Sequence, residues 1–121
     1  MDLGMAGFED LKVWQRSVDL SVDLYVALKH CTDGGFKDQL TRSGLSVPSN
    51  IAEGMERATI ADQCKFLNYA RSSCSECRTQ VIVGKRAGLL RVDDATRWET
   101  ETREISAMIS GLIRSIRKSE T

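Results

Sequence analysis

The sequence predicts an all-α domain, and three observations predict it. Apolar residues recur at alternating spacings of three and four through its second half, the period of one face of a helix. Turn-forming clusters, Thr32-Asp33-Gly34-Gly35, Gly54 to Thr59 and Gly88 to Asp94, cut the 121-residue chain into four segments. Only one proline occurs in the whole chain, so little interrupts those segments.

The first segment carries two signals. Val18, Leu20, Val22, Leu24, Val26 and Leu28 alternate as a strand would. Leu11, Trp14, Val18, Val22 and Tyr25 also make one helical stripe, and Leu20, Leu24 and Leu28 make another. A lone long strand has no partner among three helices, so the segment reads as a helix with two apolar faces. Asp19 and Asp23 share its polar side. In the second segment Phe36, Leu40, Ser43, Val47, Ile51 and Gly54 mark the buried face. Pro48 removes one backbone donor there and crowds the carbonyl of Gly44, so a kinked helix is expected.

The third segment opens Thr59-Ile60-Ala61-Asp62, close to a capping box. Its seam runs Leu67, Ala70, Cys74, Cys77, Val81, Gly84, Gly88, mostly small residues that let a partner helix approach. Phe66 and Tyr69 lie off that seam and suggest a second buried face. The fourth segment is the clearest, with Trp98, Thr102, Ile105, Ile109, Leu112 and Ile116 as its seam. Asp93 or Asp94 is its expected N-cap, and Arg114, Arg117 and Lys118 suit the negative end of the helix dipole. Residues 1–7 read as a flexible leader and residues 8–121 as a single four-helix domain.

Composition narrows the function. Lys plus Arg and Asp plus Glu each total 17, a formal net charge of zero. That balance excludes a strongly basic nucleic-acid binder and an acidic disordered tail. The first residues show no basic region followed by an apolar one, so no secretory signal is read. No apolar run approaches a membrane span. A cytoplasmic chain with reduced thiols at Cys31, Cys64, Cys74 and Cys77 is expected.

Catalytic constellations are sparse. The one imidazole, His30, stands beside a turn and outside any nucleophile motif, and reads as solvated or as a dipole-stabilising residue. Cys74-Ser75-Glu76-Cys77 is a CxxC, the spacing of redox and zinc sites. Both cysteines fall inside a helix on its apolar seam, so they read as small core residues. Glu101 and Glu104 read as a solvated helix face. The chain is expected not to be an enzyme, and no cofactor or metal is expected.

Charge is nonetheless uneven. Residues 59–92 carry six cations (Lys65, Arg71, Arg78, Lys85, Arg86, Arg91) against Asp62 and Glu76. Arg71, Arg78 and Lys85 are seven apart and form one basic stripe. The stripe is either a phosphate-contacting ridge or a flank paired with acids on a neighbouring helix or subunit.

Ser46-Val47-Pro48-Ser49-Asn50-Ile51-Ala52-Glu53-Gly54 resembles the S-x-P-x-N-I-A-E-G signature of the four-helix-bundle protein family, also called the ribosomal RNA intervening-sequence protein family. Phe8-Glu9-Asp10-Leu11-Lys12-Val13-Trp14-Gln15, Gln39-Leu40, Arg57, Phe66-Leu67, Ala70-Arg71-Ser72-Ser73 and Glu76 extend the resemblance over roughly residues 8–117. Cys74 and Cys77 depart from it, standing where that family usually has aliphatic or small residues. The resemblance implies an up-down-up-down four-helix bundle, bacterial and cytoplasmic, assembled as a ring-like homopentamer. Its fold is similar to that of the accessory protein of diversity-generating retroelements, where a pentamer engages a reverse transcriptase and nucleic acid. Partners implied are further copies of the chain and RNA or a nucleic-acid enzyme. Within the signature, Pro48, Asn50, Glu53 and Arg57 form either a polar cluster that repairs the Pro48 kink or a ligand-binding face. Two functions from different classes follow. One is an oligomer associated with ribosomal RNA or other nucleic acid through Arg71, Arg78 and Lys85. The other is a structural or adaptor oligomer that binds a protein partner.

Overall fold

The computed structural model describes residues 7–120, so most of the expected leader, residues 1–6, lies outside the described residues. A short 3₁₀ turn, Phe8–Asp10, precedes four helices: α1 Lys12–Ala27, α2 Gly34–Met55, α3 Ile60–Arg86 and α4 Val92–Lys118. No strand occurs among the described residues, and the alternation in the first segment is that of a helix. Local chemistry sets most of the boundaries. Asp33 caps α2 by accepting from the Phe36 amide at 3.0 Å, and Thr59 caps α3 by accepting from the Asp62 amide at 3.1 Å. Arg91, not Asp93 or Asp94, is the N-cap residue of α4; both acids lie in its first turn, where they favour the positive dipole end.

The end of α3 explains a second departure. Gly88 has φ +75 and is exposed, so it terminates the helix rather than continuing the seam. The Leu89 amide donates to the Gly84 carbonyl at 2.8 Å and the Gly88 amide to the Lys85 carbonyl at 3.3 Å. That is a Schellman closure, which needs a left-handed residue at this position.

Turns of a few residues join the helices, so consecutive helices run antiparallel and the bundle is up-down-up-down. Each helix packs on the next, α1 packs on α4 to close the ring, and this last contact is the sparsest. Leu24, Leu40, Val47, Ile51, Leu67, Cys74, Cys77, Val81, Trp98, Ile105 and Ile109 fill the interior and are essentially inaccessible. Gly44 permits the close approach of α1 to α2, since a methyl group there would meet Leu24 Cδ1 at 2.5 Å. The helix passes through the buried Pro48 without ending.

The two stripes of α1 differ: one is buried along its length, while of the other only Leu11 and Trp14 pack against the core. Leu20, Leu24 and Leu28 are buried, with Val13, Ser17 and Ser21 beside them. Val22, Tyr25 and Val26 remain 55%, 46% and 60% exposed. In α4 the buried line ends at Ile113 rather than Leu112, because a straight helix drifts away from a strict seven-residue repeat.

Candidate functional site

The basic stripe lies along the flank of α3 that meets α4. Arg71 Nη1 donates to Ser110 Oγ at 3.0 Å and its Nη2 to Asn68 Oδ1 at 2.7 Å. Lys85 Nζ donates to Glu99 Oε2 at 2.7 Å and to Thr96 Oγ1 at 3.3 Å. That bond holds the Glu99 carboxyl below its ordinary range. Arg78 is half-buried between them and makes no ion pair among the described residues. The three cations are therefore unequal: Lys85 is neutralised within the chain, whereas Arg71 is held by neutral groups alone and keeps its charge.

The signature residues do not form one cluster. Asn50 Nδ2 donates to the Ser46 carbonyl at 2.9 Å and to Ser46 Oγ at 3.2 Å. The carbonyl released by Pro48 is that of Gly44, four residues back, so Asn50 does not repair it as expected. Glu53 instead pairs with Arg57 one turn further on. The Arg57 guanidinium then lies 4.9 Å from the centroid of the Phe66 ring, and Gln63 Nε2 donates to the Arg57 carbonyl at 3.1 Å. Pro48 is buried, Asn50 half-buried, and Glu53 and Arg57 exposed. The signature thus divides into a local Asn50–Ser46 bond and an Arg57 tie between the end of α2 and the start of α3.

Cys74 and Cys77 are fully buried. Cys74 Sγ donates to the Thr102 carbonyl of α4 at 3.1 Å. Burial pushes the Cys74 thiol up to about 11 and the Cys77 thiol up to about 12. A redox or metal-binding cysteine is shifted the other way, toward thiolate. No group of three or more His, Cys, Asp or Glu side chains among the described residues is arranged to hold a metal ion. His30 is exposed beyond the end of α1.

Two networks between α1 and α4 escaped the sequence reading. Arg16 takes Glu101 with two bonds, Nε to Oε2 at 3.0 Å and Nη2 to Oε1 at 2.5 Å, and reaches Glu104 at 2.5 Å. Both carboxylates drive its pKa further up, so Glu101 and Glu104 are not the plain solvated face expected. One helical turn away or more, Asp23 Oδ2 accepts from Trp98 Nε1 at 2.8 Å and from Arg97 Nη1 at 2.5 Å. Partners 75 residues apart on non-consecutive helices leave no periodic mark; a lone Asp four residues from another on a valine-rich helix was the only hint. Where α1 and α4 part, a groove of about 480 Å³ opens, lined by Asp19, Val22, Asp23, Val26, Arg97 and Glu101 among others.

Fold and flanks together define an all-α four-helix-bundle protein whose polar chemistry lies outside a closed apolar core. Over residues 9–111 the sequence matches the 23S rRNA-intervening sequence protein family, and the chain belongs to that family. No curated protein sequence matches it. Among solved structures it is similar to a protein of unknown function of the S23 ribosomal protein family from Bacteroides thetaiotaomicron. That similarity has 20% identity and a TM-score of 0.79, covering 84% of this chain and 97% of the other. At this identity the neighbour speaks for the fold alone. No helix among the described residues is long and apolar enough to cross a membrane.

Proposed function

We propose that the chain is a non-enzymatic, cytoplasmic homo-oligomer that associates with ribosomal RNA through the α3 flank. The observation that carries the reading is the charge left on that flank: Arg71 and Arg78, seven residues apart, have no carboxylate partner among the described residues. The family's description, a ribosomal RNA intervening-sequence protein, supports RNA as the polyanion. Oligomerisation is supported by Val22, Tyr25 and Val26, an exposed apolar patch near the end of α1. With Lys85 spent on Glu99, a pentameric ring presents about ten cations to a phosphate backbone rather than about fifteen.

Anisotropy titrations of ribosomal RNA fragments at two salt concentrations test the association. Affinity is expected to fall with salt by several log units per log unit. Arg71→Gln with Arg78→Gln is expected to weaken every RNA alike, because phosphate contacts carry no sequence information. Absence of binding at low salt, or indifference to the double substitution, refutes it. Light scattering tests the assembly, and a monomer at micromolar concentration refutes that part. A second reading, an adaptor that binds a protein, draws on the α1–α4 groove, whose lining includes the exposed Val22 and Val26.

A further inference from the structure

The end of the bundle where α2 turns into α3 carries a group of side chains that neither the basic stripe nor the core uses. Tyr69 is 48% exposed although it is one of only two tyrosines in the chain. Its ring meets Phe66 edge to face, with centroids 5.5 Å apart and planes at 84°. Phe66 is half-buried and in turn lies under two cations, Arg57 at 4.9 Å and Lys65 at 5.8 Å from its centroid. The ion pair with Glu53 holds Arg57 in that place, while Lys65 has no carboxylate partner among the described residues. The result is a half-exposed tyrosine ring packed against Phe66, with the unpaired ammonium of Lys65 over the neighbouring Phe66 ring.

We infer that Tyr69, packed edge to face against Phe66 with the Lys65 cation close to that pair, is a stacking platform for an unpaired RNA base. The inference rests on the RNA reading above and names what kind of RNA the protein takes: a single strand or a loop, not an intact duplex. A base can stack on a side-chain ring only when it is splayed out of a helix, and stacking is indifferent to sequence because every base has a π face. The Lys65 ammonium, 5.8 Å from the Phe66 centroid and without a carboxylate partner among the described residues, suits a phosphate next to the stacked nucleotide. An apolar protein partner gains nothing from an unpaired cation beside the rings, whereas a nucleotide uses both the ring and the charge.

Placement links the platform to the stripe. Tyr69 and Arg71 are two residues apart on α3 and so project from opposite sides of the helix, about 200° apart. Tyr69 therefore looks toward the α2 side and Arg71 toward Ser110 of α4. A strand that stacks on Tyr69 and sets a phosphate on Arg71 crosses the outer ridge of α3, a distance of about 10 Å. Base capture and phosphate capture are thus separate sites on one path, and they can be removed separately.

The test uses the full chain and two fluorescein-labelled probes, an oligouridylate of about a dozen nucleotides and a duplex of equal length. Wild type is expected to prefer the single strand. Tyr69→Ala and Tyr69→Leu are expected to weaken that binding by about tenfold with the salt slope unchanged, since no charge is lost; Tyr69→Phe is expected to retain it. The leucine keeps apolar bulk without a π face, so it separates stacking from simple packing. If the Tyr69 variants bind as wild type while Arg71→Gln with Arg78→Gln weakens binding, the platform is overturned and the RNA reading stands. If wild type binds neither probe at low salt, the RNA reading falls and takes the platform with it. If light scattering shows that Tyr69→Ala changes the oligomeric state, the ring is a subunit contact and the platform is overturned.

Discussion

Raising the pH from 7 to 10 perturbs the α3 interior through its two buried thiols. Cys74 and Cys77 ionise near 9.0 when exposed, but burial pushes them up to about 11 and about 12 in the folded chain. A group whose folded pKa is raised contributes stability that is fully present below 9.0 and is lost as pH climbs toward the folded values. In that window the unfolded chain releases protons that the folded chain still holds. At pH 10 the two thiols together then cost on the order of 3 kcal/mol. Urea denaturation in reducing buffer at pH 7, 8, 9 and 10 measures the loss. Lysines also titrate near pH 10, so the comparison is with Cys74→Ala/Cys77→Ala. That variant is less stable at pH 7 because it leaves small cavities, yet its stability should fall by on the order of 3 kcal/mol less over the same range. Equal pH slopes for the two proteins refute the burial argument. So does rapid reaction of either thiol with Ellman's reagent in the native state at pH 8.

Gly88→Ala places a Cβ on a residue at φ +75, and should lower stability by about 1–2 kcal/mol in thermal or urea melts. Asp23→Ala strips the acceptor from Trp98 Nε1; it should cost about 1 kcal/mol, read by tryptophan-fluorescence unfolding, while Asp23→Asn, which keeps an oxygen acceptor, should recover most of it.

Much of the architecture was written into local patterns. The seams of α2, α3 and α4 depend only on helical period, and Thr59 announces the start of α3 because a hydroxyl can reach an amide three residues on. The CxxC could be placed in the core for the same reason: both cysteines share a face with Leu67 and Val81. The cap of α4 was misplaced by periodicity and composition alone, since Asp93 and Asp94 serve the helix dipole as well from inside the first turn as a cap would from outside it. Gly88 was counted in the seam because spacing carries no information about the sign of φ.

The sequence by itself determined four amphipathic helices, their order and the family, because apolar period, turn residues and the NIAEG run at 50–54 are properties of the chain read in line. Which charges are spent and which are left over was decided only in three dimensions. The charge of Lys85 is compensated by Glu99 whereas that of Arg71 is not, because α4 brings an acid to one level of the seam and Ser110 to another. Likewise, Leu20, Leu24 and Leu28 enter the core while Val22 and Val26 stay outside, although both stripes are equally apolar in sequence. A helix with two apolar faces does not say which one its neighbours will cover. The choice follows from where the Gly44 gap admits Leu24, a contact between helices that no linear pattern encodes.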